Sequence, residues 1–411
     1  MISGLTHALG PFALKSFRFQ WPADLLTSWA GEMEGIILSW YVIVETGSVL
    51  VLTLYGSLQY VGTLLSPLFG VLGDRIGHRN LLCLMRAGYC CFATTIMTLA
   101  FTGAIRPSFV IILAGCMGLV RSSDLVMRNA LVGASMPPAV LVSAASVMRT
   151  TMDSARIAGS LAGAGLIAVL GMGYAYIVIA SFYALSFCLT LGVYRGSKRV
   201  TSKEFTPWRD LREGFAYVWN TPVAVSAMAL AVLVNLTAFP MSQGLLPYVA
   251  REIYRIDQQG LGFLIASFAS GSLLGSLALT FGGRSWGMAR LMLSSMLTWY
   301  ALLLVFPLLP SAKTGMMVLL LAGFAQSLAM VPMSVILLRT AEEQYRGRVM
   351  GVRMLAVYAL PVGLLAAGAL IQYLGYIPTV ALYCTFGIGC ALLIALRWRD
   401  QLWQEEGTGA R

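Results

Sequence analysis

Charged residues make up only 11% of this chain, and histidine occurs twice. Soluble domains carry roughly 25% charged residues, so an ordinary soluble fold is excluded. His7 and His78 are too few for a histidine-rich metal cluster, and no Ser/His/Asp arrangement is present. The absence of a GxxxxGK[ST] phosphate-binding loop removes ATP-driven pumping and leaves an ion or solute gradient as the energy source. The seven cysteines all stand in apolar runs without a CxxC or Cys/His spacing. They read as small buried hydrophobes, neither a disulfide framework nor a metal site. No enzyme, metal or cofactor is therefore expected. The first residues lack a basic segment, a short apolar core and a small-residue cleavage site in sequence, so the first span is read as an uncleaved start signal. Acidic residues are also sparse, 17 against 28 basic, for a net charge of +11. With no soluble domain to carry a basic patch, nucleic-acid binding is not expected.

What remains is hydrophobic, 58% of the chain. A membrane-spanning helix needs about 20 mostly apolar residues. Twelve such runs occur, at 18–44, 48–73, 80–103, 107–134, 139–170, 173–194, 219–247, 259–282, 288–309, 314–340, 346–373 and 375–397. Basic residues favour one side of this arrangement. Lys15, Arg18, Arg75, Arg79, the cluster from Arg195 to Arg212, Arg284, Arg290, Arg346, Arg348, Arg397 and Arg399 fall there. Only Arg106, Arg251, Arg255 and Lys313 fall in the opposite loops. The bias predicts that both termini are cytoplasmic.

Within this apolar background six charges form a symmetric ladder. Arg121, Asp124 and Arg128 lie in the fourth run, Arg149, Asp153 and Arg156 in the fifth, and Pro137-Pro138 marks the turn between. Spacings of three and four put each trio on one helical face. Antiparallel pairing about the turn sets 121 level with 156, 124 with 153 and 128 with 149. Charges within membrane helices face a cavity or one another, so the ladder is a functional candidate. Its four arginines exceed its two aspartates by two, and arginine suits carboxylate, phosphate or catecholate oxygens. The alternative is a static lattice in which the aspartates merely neutralise neighbours, with Arg128 and Arg149 snorkelling to the interface.

The chain also repeats itself. Leu170-Gly171 recurs as Leu374-Gly375, and the same offset of 204 sets Arg149 on Arg353. Two six-helix halves follow, at 1–195 and 216–411, joined by a basic linker at 196–215. Internal repeats around a midplane site are a common plan of secondary transporters.

After the second run the chain reads Gly70-Val-Leu-Gly-Asp74-Arg75-Ile-Gly77-His78-Arg79. This resembles the G-x-x-x-D-R-x-G-R/K-R/K loop signature of the major facilitator superfamily, with His78 in place of a basic residue. Phe17-Arg18-Phe19, Trp29-Ala30-Gly31-Glu32, Glu45-Thr46-Gly47-Ser48, Arg212-Glu213-Gly214-Phe215, Pro247 and Arg251-Glu252 resemble the drug/siderophore exporter branch, including enterobactin-exporter-like and macrolide-efflux-like members. The G-P-x-x-G-G stretch of the superfamily's antiporters is matched by Gly159-Ser160-Leu161-Ala162-Gly163-Ala164, which lacks its proline and last glycine.

The resemblance implies an all-α membrane protein of two pseudo-symmetric six-helix bundles. It also implies a monomer in which spans one, four, seven and ten surround a central cavity. The expected function is export of a small organic molecule, such as a siderophore, drug or natural product, by proton antiport through alternating access. Uptake of a small anionic solute and a non-transporting sensor on the same fold are the alternatives.

Proton coupling is assigned to Glu32, with Glu34 and Asp153 as further candidates. Glu32 and Glu34 stand about 200° apart on a helix, so both cannot face one narrow cavity; Asp24 reads as interfacial. Substrate contact is assigned to Arg121, Arg156 and Asp124, with Gln59, Asn235, Gln326 and Tyr358 as polar liners that serve equally as interhelical hydrogen bonds. Gating is assigned to Gly70, Asp74, Arg75, Gly77 and Arg79 of the turn, with Arg128 and Arg149; family resemblance pairs Arg128 with Asp74. Pro240 and Gly244 are positioned to break span seven.

Overall fold

Glycine and proline set where the apolar helices start, bend and stop. The computed structural model describes residues 10–193, 207–282, 287–342 and 345–399; the side-chain surroundings of Gly70 and Asp74 lie outside the described residues. Twelve spans follow one another in the order expected. Span one is Lys15–Thr46, continuous through Pro22 and ended by Gly47 at φ 59°. Spans three and four are His78–Phe101 and Pro107–Ser135. Spans five and six form the track Pro138–Leu191, broken at Gly171 (φ 78°, ψ 173°). Spans eight, nine and ten are Gln258–Gly282, Met288–Val305 and Ala312–Thr340. Span twelve is Tyr376–Arg397.

Three spans are interrupted. Span two runs as Val49–Leu58, a 3-10 turn at Val61–Leu65, and Ser66–Ile76. Span seven, Pro222–Phe239, continues through π-helical turns at Pro240–Gly244 and Val249–Ile253. Span eleven joins Arg346–Leu355 to Ala359–Leu374 through a 3-10 turn at Ala356–Tyr358. Pro240 cannot donate an i→i−4 bond, which explains the break at that point.

The repeat is visible in backbone geometry. Gly171 and Gly375, 204 residues apart in sequence, adopt nearly the same torsions, φ 78°, ψ 173° and φ 86°, ψ 171°. Side chains avoid this region, so each glycine reverses the chain between two spans with almost no loop.

The fold divides into two compact units. The first comprises residues 1–47, 58–202 and 257–262; the second comprises 48–57, 203–256 and 263–411. In the first, span one lies along the span five–six track. A Cβ added at Gly159 would lie 2.8 Å from Glu32 Cβ, and one at Gly163 2.7 Å from Met33 Cα. The antiporter-like stretch is therefore where these helices touch.

In the second unit part of the linker is itself helical, Pro207–Asn220. Tyr217 stacks on Tyr345 at 4.5 Å and donates to the carbonyl of Thr340 at 3.2 Å, while Glu213 pairs with Arg348 at 3.0 Å. The remainder of the linker, 196–206, lies outside the described residues.

Outward faces are apolar, with Leu84, Val169 and Leu396 among the most exposed side chains. This corrects the reading of all seven cysteines as buried. Cys83 and Cys384 are, whereas Cys91, Cys116 and Cys188 are exposed. In a membrane helix the outer surface is apolar too, so an apolar run does not imply interior burial.

Candidate functional site

Five helices of the first unit bring charge together. On span one the residues Gln20, Asp24, Thr27, Ser28 and Gly31 follow helical spacings of three and four and share a face. Asp24 is correspondingly buried, not interfacial as its position suggested. Its Oδ1 pairs with Arg86 of span three and lies 3.6 Å from Arg128 Nε of span four. Arg86 is fully buried and also donates to Thr190 Oγ1 of span six. Arg128 pairs with Asp124 one turn earlier and donates to Ser28 Oγ at 2.9 Å and to the Asp24 carbonyl at 3.2 Å. Gln20 donates to the carbonyl of Arg128 at 3.2 Å.

Above this cluster lies a cavity of about 200 Å³ lined by all six ladder residues, together with Glu32, Thr27, Ser28, Tyr89, Leu125, Met152 and Tyr183. The ladder thus faces one space, and its described ion pairs run within a helix or to span one. Arg128 pairs with Asp124 and Arg149 with Asp153 (3.3 Å), each within its own helix, and Arg156 reaches Glu32 of span one at 4.0 Å. An i,i+4 partner is close at hand on the same helix, and the residues level across the turn carry like charges. Arg121 packs its guanidinium on Gly31, where an added Cβ would lie 3.1 Å from Cζ.

Glu32 and Glu34 diverge as helical geometry requires. Glu32 lines the cavity. Glu34, 1% exposed, accepts from Tyr183 at 3.0 Å and Tyr176 at 3.5 Å, with Arg121 within electrostatic range. Span one and Arg86 therefore alter the charge tally. Asp24, Glu32, Glu34, Asp124 and Asp153 stand against Arg86, Arg121, Arg128, Arg149 and Arg156. Among the described residues the apparent surplus of two positive charges becomes a balanced set.

The remaining candidates are dispersed. Gln59 offers its carbonyl to Ser122 at 3.3 Å beside the break in span two; the neighbouring Tyr60 lies within electrostatic range of Arg156, Arg121 and Glu32. Asn235, Gln326 and Tyr358 belong to the second unit. Asn235 donates to the Ala231 carbonyl at 2.8 Å, Gln326 accepts from Ser272 at 2.9 Å, and Tyr358 is half-buried on the 3-10 turn.

Around the turn after span two, Gly77 adopts φ 91° and Arg75 is exposed. Arg79 donates to the carbonyls of Thr190 and Leu191, capping the end of span six. The side chains of Gly70 and Asp74, assigned to a gate from the sequence, lie outside the described residues, and the described acidic partners of Arg128 are Asp124 and Asp24.

Sequence reasoning passed over Arg86, Tyr89, Tyr176 and Tyr183. Arg86 carried a legible signal, an arginine deep in the third apolar run, whereas the tyrosines looked like ordinary packing residues.

A Major Facilitator Superfamily profile matches residues 23–360 and 228–410. The chain belongs to this superfamily. It is accordingly a multi-pass membrane transporter and not an enzyme. A curated relative, the multidrug efflux pump Tap of Mycolicibacterium fortuitum, is 25% identical over 365 residues, covering 85% of this chain and 88% of the relative. Among solved structures, a POT family transporter in complex with 5-aminolevulinic acid is similar at TM-score 0.73 and 12% identity, covering 94% of this chain and 96% of that one. A D-xylose-proton symporter is similar at TM-score 0.69 and 13% identity, covering 92% and 97%. These structural likenesses establish the superfamily fold.

Proposed function

We propose that this transporter exports a small organic molecule, a drug or natural product, in exchange for protons by alternating access, as a monomer in a bacterial inner membrane with both termini cytoplasmic. The observation that carries this reading is the convergence of the ladder and Glu32 on one cavity, in a chain similar to a multidrug efflux pump. Arg156 and Arg121 hold the oxygen-rich part of the substrate. Glu32, in the cavity wall and only loosely paired with Arg156 at 4.0 Å, exchanges the proton. Asp153 restores the charge of Arg149 as groups re-pair, and Glu34 holds a carboxylate behind the wall. Arg75, Arg79, Gly70, Asp74 and Gly77 form the gate.

A flux assay tests this. Purified protein is placed in proteoliposomes with an imposed pH gradient and offered dyes, antibiotics and siderophores. Gradient-driven flux is expected, accompanied by counter-movement of protons and lost in Glu32→Gln. Substrate movement in the same direction as protons would establish uptake instead. Flux and pH dependence unchanged in Glu32→Gln would remove that residue from the mechanism.

A further inference from the structure

The floor of the cavity is incompletely satisfied. Asp124 Oδ2 is held by Arg128, but Oδ1 is sequestered without a hydrogen-bond partner. The Tyr89 hydroxyl is also without one, and both residues line the cavity while being 5% and 2% exposed. An unmet buried acceptor is costly, more so when charged, so this wall gains from a donor that none of the described residues supplies. Arg128 has a second carboxylate to turn to, Asp24, already 3.6 Å from Nε. Releasing Asp124 leaves Arg128 sharing the Asp24 carboxylate with Arg86, so it is not stranded without a partner, the case in which breaking a buried pair is most expensive.

We propose that Asp124 and Tyr89 form a subsite for a protonated amine of the substrate. The ammonium replaces the Arg128 guanidinium on the Asp124 carboxylate and donates a further bond to the Tyr89 hydroxyl, while Arg128 closes on Asp24. This deepens the export reading and rests on it for its physiological meaning. Charge balance supports the same polarity. Five carboxylates against five arginines among the described residues tolerate one added positive charge more readily than two, so a proton and an ammonium compete. An anion would instead be drawn in together with the proton. The preferred substrate thus carries a basic amine beside the oxygen-rich portion held by Arg156 and Arg121.

The test is equilibrium binding to the purified full-length protein, read by dansyl fluorescence with three probes. Dansylcadaverine carries the amine, N-acetyl-dansylcadaverine lacks its charge, and dansylglycine carries a carboxylate. Wild type is expected to bind dansylcadaverine about tenfold or more tightly than its acetylated form, the size of one charge-assisted hydrogen bond. Asp124→Asn should bring that ratio close to one, Asp124→Glu should recover part of it, and Tyr89→Phe should lower it a few-fold. Thermal unfolding of each variant reports whether it folds.

A wild type with no preference for the amine, or a preference surviving in folded Asp124→Asn, overturns the subsite. The wild-type ratio decides even if a variant does not fold. Failure of the export reading looks different: amine selectivity on Asp124 persists, yet no probe moves under a pH gradient. Gradient-driven flux of dansylglycine without amine preference sinks the subsite and leaves export standing.

Discussion

A charge within a membrane helix needs a counter-charge at contact distance, and Asp24 shows the consequence for a single residue. Asp24→Asn leaves Arg86 fully buried with one of its two described partners weakened. Breaking a buried pair from one side costs about 3–5 kcal/mol, so a markedly lower unfolding temperature in detergent is expected. Adding Arg86→Met should restore part of the loss, and a wild-type melt for the single variant would refute the pairing. Gly31→Ala addresses position rather than stability. The new methyl meets the Arg121 guanidinium, so flux should fall sharply while membrane abundance on immunoblots stays near wild type. Full activity would mean that Arg121 does not depend on its seat. The ladder was legible at this scale because intervals of three and four are a property of one helix. An ion pair between Glu32 and a ladder arginine was foreseeable and is formed with Arg156, but Asp24 and Arg86 were not read as partners, because they come from helices far away in sequence and only packing decides which side chain each one meets.

At the scale of elements the repeat makes the sharpest prediction. Gly171 and Gly375 occupy backbone space that is essentially glycine-only, and a side chain there costs about 1–3 kcal/mol. Gly171→Ala and Gly375→Ala should each lower thermal stability by a similar amount, whereas Gly165→Ala, with open space around its Cβ, should not. Unequal or absent losses at the two turns would break the equivalence drawn between the halves. Most span boundaries were readable from apolar run length, and span seven bends where Pro240 and Gly244 suggested. The helix at Pro207–Asn220 was hidden, since a polar, basic stretch reads as linker until Tyr217 and Glu213 find Tyr345 and Arg348 to pack against.

For the whole molecule, the basic loops predict an orientation with both termini cytoplasmic. A green fluorescent protein fused after Arg411 is expected to fluoresce, and alkaline phosphatase at the same place to be inactive; the reverse outcome would invert the topology. By itself the sequence determined that this chain spans a membrane twelve times, that its halves are duplicated, and that two neighbouring spans carry ionic faces. Those properties are periodic or additive along the chain, so they survive without knowledge of packing. Only the tertiary structure decided that span one completes the charge balance, that Arg86 anchors Asp24, and that Asp124 and Tyr89 are left unsatisfied at the cavity floor. Electrostatic neutrality and hydrogen-bond satisfaction are properties of neighbours in space, and no spacing along the chain records them.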